Sequence, residues 1–211
     1  MPDRWATFDC YGTLIDWNGG IGAELERVFG DDALLHRYHE LERELEQDGT
    51  LSYREVMTEA MRRLGAPEGE AGGLASSLAS WAPFPEVSGA LEQARSRGWR
   101  LAILSNSDPD LIEASKARLG VRFDETVVAA EIRSYKPAFE HWREFQSRTL
   151  ADATRHVHVA ASAYHDVVPA MELGIPTVWI NRLGEHRLTS PTRELPDLTE
   201  IAPTLDELLP A

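Results

Sequence analysis

Asp9-Cys10-Tyr11-Gly12-Thr13 follows the short β-prone run Arg4-Trp5-Ala6-Thr7-Phe8, and these two stretches together decide how the chain is read. A strand that ends on a carboxylate, followed by a glycine free to make a tight turn, presents an acid at a strand tip. Open α/β sheets bind their ligands at that position. The second residue after Asp9 is Tyr11, not another carboxylate.

Further strand-like runs lie at Arg100 to Leu104, Thr126 to Ala129, Val157 to Ala161 and Thr177 to Ile180. Each is continuous and apolar, as in a parallel sheet covered on both faces. Between them run helical patterns that stop at glycines: Pro85 to Arg97 before Gly98, Asp110 to Leu119 before Gly120, and Val167 to Leu173 before Gly174. Glycine suits the left-handed residue that closes a helix. Pro137 is expected in the first turn of a helix through Phe139, Trp142 and Phe145. The alternation predicts a doubly wound, Rossmann-like α/β core.

From Ile15 to Phe84 the strand signals stop. Helical patterns replace them at Ile21 to Phe29, Ala33 to Gln47, Tyr53 to Leu64 and Gly72 to Trp81. Ser52-Tyr53-Arg54-Glu55 has the form of a capping box. The expected organisation is a core of residues 1–15 and 85–211 with an all-helical cap, residues 16–84, inserted after the first strand; the Pro83-Phe84-Pro85 stretch reads as its return hinge.

The chain has 211 residues and a formal charge of -14, from 21 Lys and Arg against 35 Asp and Glu. Such a surface repels nucleic acid and anionic membranes. A single cysteine excludes an internal disulfide framework, and Met1-Pro2-Asp3-Arg4 opens no apolar run, so a cytoplasmic protein is expected. Net charge does not exclude an anionic small molecule, because a few cations in a closed cleft outweigh a screened surface field.

Four motifs recur at strand ends in a fixed order. They are Asp9-Cys10-Tyr11-Gly12-Thr13; Leu104-Ser105-Asn106; Tyr135-Lys136-Pro137; and His165-Asp166, followed by Gly174-Ile175-Pro176-Thr177-Val178-Trp179-Ile180-Asn181-Arg182. With these motifs the chain resembles the haloacid dehalogenase superfamily over nearly its whole length, most closely the 2-haloacid dehalogenase branch.

The resemblance implies that Asp9 is a nucleophile, able as an ionised carboxylate to attack a carbon bearing halide and form an ester. It makes Lys136 the ammonium that keeps Asp9 ionised. Thr13, Ser105 and Asp166 complete the catalytic group, with Ser105 bonding Asp9 or a substrate carboxylate and Asp166 orienting Lys136 or the hydrolytic water. Tyr11, Arg37, Asn106 and Trp142 are expected on the substrate side, with Trp17 a further candidate. Arg37 is chosen from helix geometry: Leu34, Tyr38, Leu41 and Leu45 form an apolar stripe, with Arg37 about 60° from its centre and Arg43 pointing away, at ~100° per residue. Trp142 falls where related dehalogenases carry a tyrosine six residues after the lysine. Cys10 is read as a core residue, turned away from the face of Asp9. His165 is weighed as a base against a packing role.

The chain departs from the branch pattern at Ala161 and Ala163, where serine and asparagine precede the acid. The expected activity is release of halide from a small 2-haloalkanoic acid without metal or organic cofactor, and the resemblance leaves a homodimer open. Two alternatives stand beside it. One is a Mg2+-dependent phosphatase holding the ion between Asp9, the Tyr11 carbonyl and Asp166; Tyr11 is a poor proton donor for it at neutral pH. The other is a non-catalytic binding protein on the same fold.

Overall fold

In the computed structural model, which describes residues 3–47, 49–186 and 190–210, a parallel sheet runs β3-β2-β1-β4-β5-β6. Its strands are β1 (Arg4–Phe8), β2 (Trp99–Ser105), β3 (Glu125–Val128), β4 (His156–Ala160), β5 (Thr177–Ile180) and β6 (Arg193–Leu195). Side chains alternate across it. Ala6, Phe8, Leu101, Ile103, Val157 and Val159 join one apolar cluster, while Trp5, Ala102 and Leu104 join a second on the opposite face. Burial on both faces explains why the strands read as unbroken apolar runs. The predicted α/β core is therefore present.

Three sequence readings are corrected. β6 was missed: it is a three-residue edge strand whose Arg193 and Glu194 are exposed, so it carries no apolar signal. Pro137 does not open a helix. Ala138 donates to the Tyr135 carbonyl, closing a turn, and the helix starts later, at Glu140. The segment expected as one helix from Val167 splits into a wide turn of helix over Ala163–Val167 and a short α-helix, Val168–Glu172.

Ten α-helices are introduced in chain order among the described residues: α1 (Trp17–Phe29), α2 (Leu35–Glu46), α3 (Tyr53–Leu64), α4 (Gly73–Ser77), α5 (Val87–Ser96), α6 (Pro109–Leu119), α7 (Ala129–Ile132), α8 (Glu140–Thr149), α9 (Val168–Glu172) and α10 (Ile201–Leu208). In α3 the capping box is formed reciprocally between Ser52 and Glu55, and left-handed Gly65 closes the helix. Inside the insertion α2 packs on α3, α3 on α4 and α4 on α1. Gly20 lies against the Trp81 indole so closely that a Cβ there would collide with the ring.

The insertion leaves and rejoins the core at one place. Ile15 and Pro83 form a bridge, Asp16 N donates to the Ala82 carbonyl (2.9 Å) and Phe84 N to the Leu14 carbonyl (3.1 Å). A second tie comes from Asp108, whose carboxylate accepts from Tyr53 N (3.0 Å) and Arg54 N (2.9 Å) at the start of α3. An anion is favoured at that helix terminus by its free N–H groups.

Candidate active site

β1 and β4 are neighbours, yet β1 connects onward to β2 on one side while β4 begins the other half of the sheet. The crevice at that switch point is where such sheets hold ligands. Asp9 leaves the end of β1, and Gly12, at φ +87, takes the backbone through a left-handed turn. Thr13 then folds back to donate to Asp9 Oδ2 at 2.8 Å, while its Oγ accepts from Ala161 N at 2.9 Å. One hydroxyl thus ties the loop after β1 to the loop after β4.

Lys136 arrives from the other side and is buried. Its Nζ donates to Asp9 Oδ1 (3.0 Å), to the Leu104 carbonyl (2.9 Å) and to Asp166 Oδ1 (2.6 Å). An ammonium has three protons, and all three are used. Lys136 therefore acts on the site through its charge, without a free proton to offer a ligand. The two carboxylates hold its pKa above the ordinary lysine value against the opposing effect of burial. Burial raises Asp9 and Asp166, and Lys136 counters it at both.

Beneath Asp166 lies a polar chain that the sequence reading did not find. His158 Nε2 reaches Asp166 Oδ1 at 3.0 Å, and Thr7 Oγ lies 2.8 Å from His158 Nδ1 and 2.5 Å from His156 Nε2. Burial depresses both imidazoles, His158 to about 3, so each is neutral near pH 7. The chain then has one consistent polarity: His158 Nε2–H donates to Asp166, Nδ1 accepts from Thr7, and Thr7 accepts from His156 Nε2–H. The signal was available, because histidines two apart in a buried strand share one face.

The other predicted residues fall into two groups. Tyr11 lies at the junction of core and insertion, stacked on Tyr53 and edge-on to Trp81, with its hydroxyl 3.0 Å from Ser115 Oγ. Asn106 clamps the Lys136 backbone, Nδ2 donating to its carbonyl (3.0 Å) and Oδ1 accepting from its N–H (2.6 Å). Its amide is committed to positioning the lysine loop. Ser105 is buried at the end of β2, makes no hydrogen bond to Asp9 and has its carbonyl 3.0 Å from His141 Nε2. Trp17 stacks on His39 and donates to Tyr53 Oη. Cys10 is buried, and its thiol is pushed well above the ordinary range by burial.

Trp142 and Arg37 are not brought to this group. Trp142 packs in the second cluster with Trp5, Leu104 and Phe145, on the buried face of α8 with His141 and Phe145. Arg37 is exposed and holds Glu40 at 2.7 Å. An apolar stripe has two flanks, and helical periodicity does not say which one meets the core. The flank carrying Glu42 and Glu46 is buried, Arg43, itself exposed, borders a cleft beside Glu46, and Arg37 is on the other flank.

A cleft of ≈ 330 Å³ opens between insertion and core, lined by residues that include Arg43, Glu46, Arg133, Lys136, Tyr164 and His165. His165 lies between Ser162 Oγ, 3.1 Å from Nδ1, and Glu46 Oε2, 3.6 Å from Nε2. Burial pushes it down to about 4. Burial and the neighbouring Glu42 push Glu46 well above the carboxylate range. Ser162, not Asp166, caps the helical segment, accepting from His165 N. Among the described residues no helix is long and apolar enough to cross a membrane.

A buried carboxylate at a strand tip is thus paired with a lysine at the switch point of a doubly wound sheet. The haloacid dehalogenase-like hydrolase family model matches residues 4–159, and the chain belongs to that family. It falls in the 2-haloacid dehalogenase branch. The chain is 30% identical to the (S)-2-haloacid dehalogenase of Pseudomonas sp. (strain YL), over 84% of this chain and 82% of that protein. It is 31% identical to haloacetate dehalogenase H-2 of Moraxella sp. (strain B), over 84% and 85%. The crystal structure of the L-2-haloacid dehalogenase RSc1362 superposes with a TM-score of 0.86 at 25% identity, covering 98% of this chain and all of that one.

Proposed function

We propose that the protein releases halide from C2 of a small 2-haloalkanoic acid and yields the 2-hydroxy acid, with the insertion of residues 16–84 serving as the cap over the site. An Asp9 oxygen attacks C2 from behind; the C–O ester bond forms as the carbon–halogen bond breaks and halide leaves with the bonding pair. The configuration at C2 inverts. Water then adds to the ester carbonyl carbon and its bond to the alkoxyl oxygen breaks; one water proton completes the 2-hydroxyl group, the other passes to solvent, and Asp9 is left as the carboxylate. The observation that carries this reading is the Asp9–Lys136–Asp166 arrangement, which keeps a nucleophilic carboxylate ionised in a buried place. Thr13 orients Asp9, Asn106 positions the Lys136 loop, and Tyr11 borders the substrate. Arg43 takes the role expected of Arg37, facing the substrate carboxylate across the cleft.

The reaction as written uses no metal or organic cofactor. A phosphatase would need a proton donor two residues after Asp9, and burial raises the Tyr11 hydroxyl even further above neutrality than usual. The test is chloride release from 2-chloropropanoate with and without EDTA, beside a phosphate-ester assay, with mass spectrometry of the protein quenched during turnover. Release indifferent to EDTA together with an adduct on Asp9 supports the reading. EDTA-sensitive phosphate release, or turnover that survives Asp9→Asn, sinks it.

A further inference from the structure

Every described arginine except two is hydrogen-bonded or ion-paired within the protein. The two exceptions, Arg43 and Arg133, line the same cleft, one on α2 of the insertion and the other at the end of α7 in the core. In a chain with 35 acidic residues, two unpaired guanidiniums bordering one cleft are not what a surplus of acids produces at random. Lys136 sits at the same cleft but has spent its protons, so the two arginines are its uncommitted cations.

The remaining titratable groups there do not cancel them. Burial and the neighbouring Glu42 raise the Glu46 carboxyl well above its ordinary value, and burial pushes His165, on the loop after β4, down to about 4. Burial raises the Tyr135 hydroxyl well above its ordinary value. A ligand entering the cleft therefore meets two exposed, unpaired guanidiniums, one from the insertion and one from the core. One carboxylate occupies one planar guanidinium, in a bidentate pair. A second cation facing the first calls for a second anion.

We propose that the preferred substrate carries two carboxylates, one beside the carbon that loses halide and one at the far end, with Arg43 and Arg133 each taking one. The proposal rests on the dehalogenation reading and narrows it to 2-halogenated dicarboxylic acids. Arg133 is the specificity-determining residue. It lies in the left-handed backbone conformation that closes α7, which carries its side chain out of the helix direction.

Chlorosuccinate and 2-chlorobutanoate have the same number of carbons and differ in the second carboxylate, so their kcat/KM ratio isolates its recognition. The expected ratio favours chlorosuccinate by roughly tenfold or more, shrinks at high salt, and falls toward one in Arg133→Gln. A wild-type ratio near one, or a ratio unchanged in Arg133→Gln, overturns the proposal. A second measurement does not depend on turnover: succinate should raise the melting temperature of the wild-type protein more than butanoate does, and Arg133→Gln should remove the difference. If that protection is seen while neither chloro acid releases chloride, the dicarboxylate site stands and the dehalogenation reading fails. If succinate and butanoate protect equally, the dicarboxylate site fails whatever the chloride assay shows.

Discussion

Lys136 and Asp166 meet at 2.6 Å with each side chain only 1% exposed. A pair so deeply enclosed is held by its mutual neutralisation and by the further bonds that complete it: Asp9 and the Leu104 carbonyl on the lysine, His158 on the aspartate. Removing one member exposes the cost of burying the other.

Lys136→Met should therefore leave two buried carboxylates without a cation. Destabilisation on the order of 3–5 kcal/mol is expected at neutral pH. It should shrink as the pH is lowered, because both acids, raised by burial, then take up protons. Thermal denaturation across pH measures both effects, and equal melting temperatures of variant and wild type at neutral pH would contradict them. Halide release should vanish.

The pH profile of the wild-type enzyme follows from the same shifts. Asp9 must be ionised to attack, and its folded pKa lies above the ordinary value, so the acid limb of kcat/KM should fall above the usual aspartate value of about 3.9. Lys136 is shifted upward. Its contribution to stability is full below the unfolded lysine pKa and is lost only as pH rises through the higher folded value. An acid limb below 3.9 would contradict the Asp9 assignment.

Arg43→Gln should raise KM for a 2-haloacid by roughly 10- to 100-fold, the size of a charge-assisted hydrogen bond. Arg37→Gln should leave KM unchanged, since that guanidinium faces solvent with Glu40. Steady-state kinetics on the two variants separates the flanks of α2, and the reverse pattern would restore the assignment made from helix periodicity.

His158→Leu removes the neutral donor beneath Asp166 and leaves Thr7 without its acceptor. A loss of about 1–3 kcal/mol is expected from the unsatisfied groups, with the acid limb of kcat moved to higher pH. His158→Gln retains an N–H near the Nε2 position and should recover most of the limb. A limb that shifts equally in both variants would rule out the hydrogen-bond polarity assigned to the chain.

The sheet was legible because strands covered on both faces have few polar positions to disguise them, as in Leu101 to Leu104. β6 was not, because an edge strand of three residues with exposed Arg193 and Glu194 resembles a loop. Asp9, Thr13, Lys136 and Asp166 were found as a set because their motifs end strands in order, and the structure brings them within hydrogen-bond reach of one another. Periodicity fixes which stripe of α2 is buried against α3 and leaves open its flanks, so it did not show that Arg37 lies in solvent with Glu40 while Arg43 borders the cleft. Trp142 was placed on the substrate side only by its position after Lys136 in the family pattern, and its indole packs in the second core cluster.

Because Ile15 and Pro83 bridge one another, the sheet's connectivity is indifferent to what the chain does between them. A segment whose two ends meet can be exchanged by recombination without rerouting a single strand. Asp9 and Lys136 stay behind with the scaffold, while Arg43 travels with the graft. Descent could thus exchange what overhangs the strand tips and leave the buried ion pair untouched.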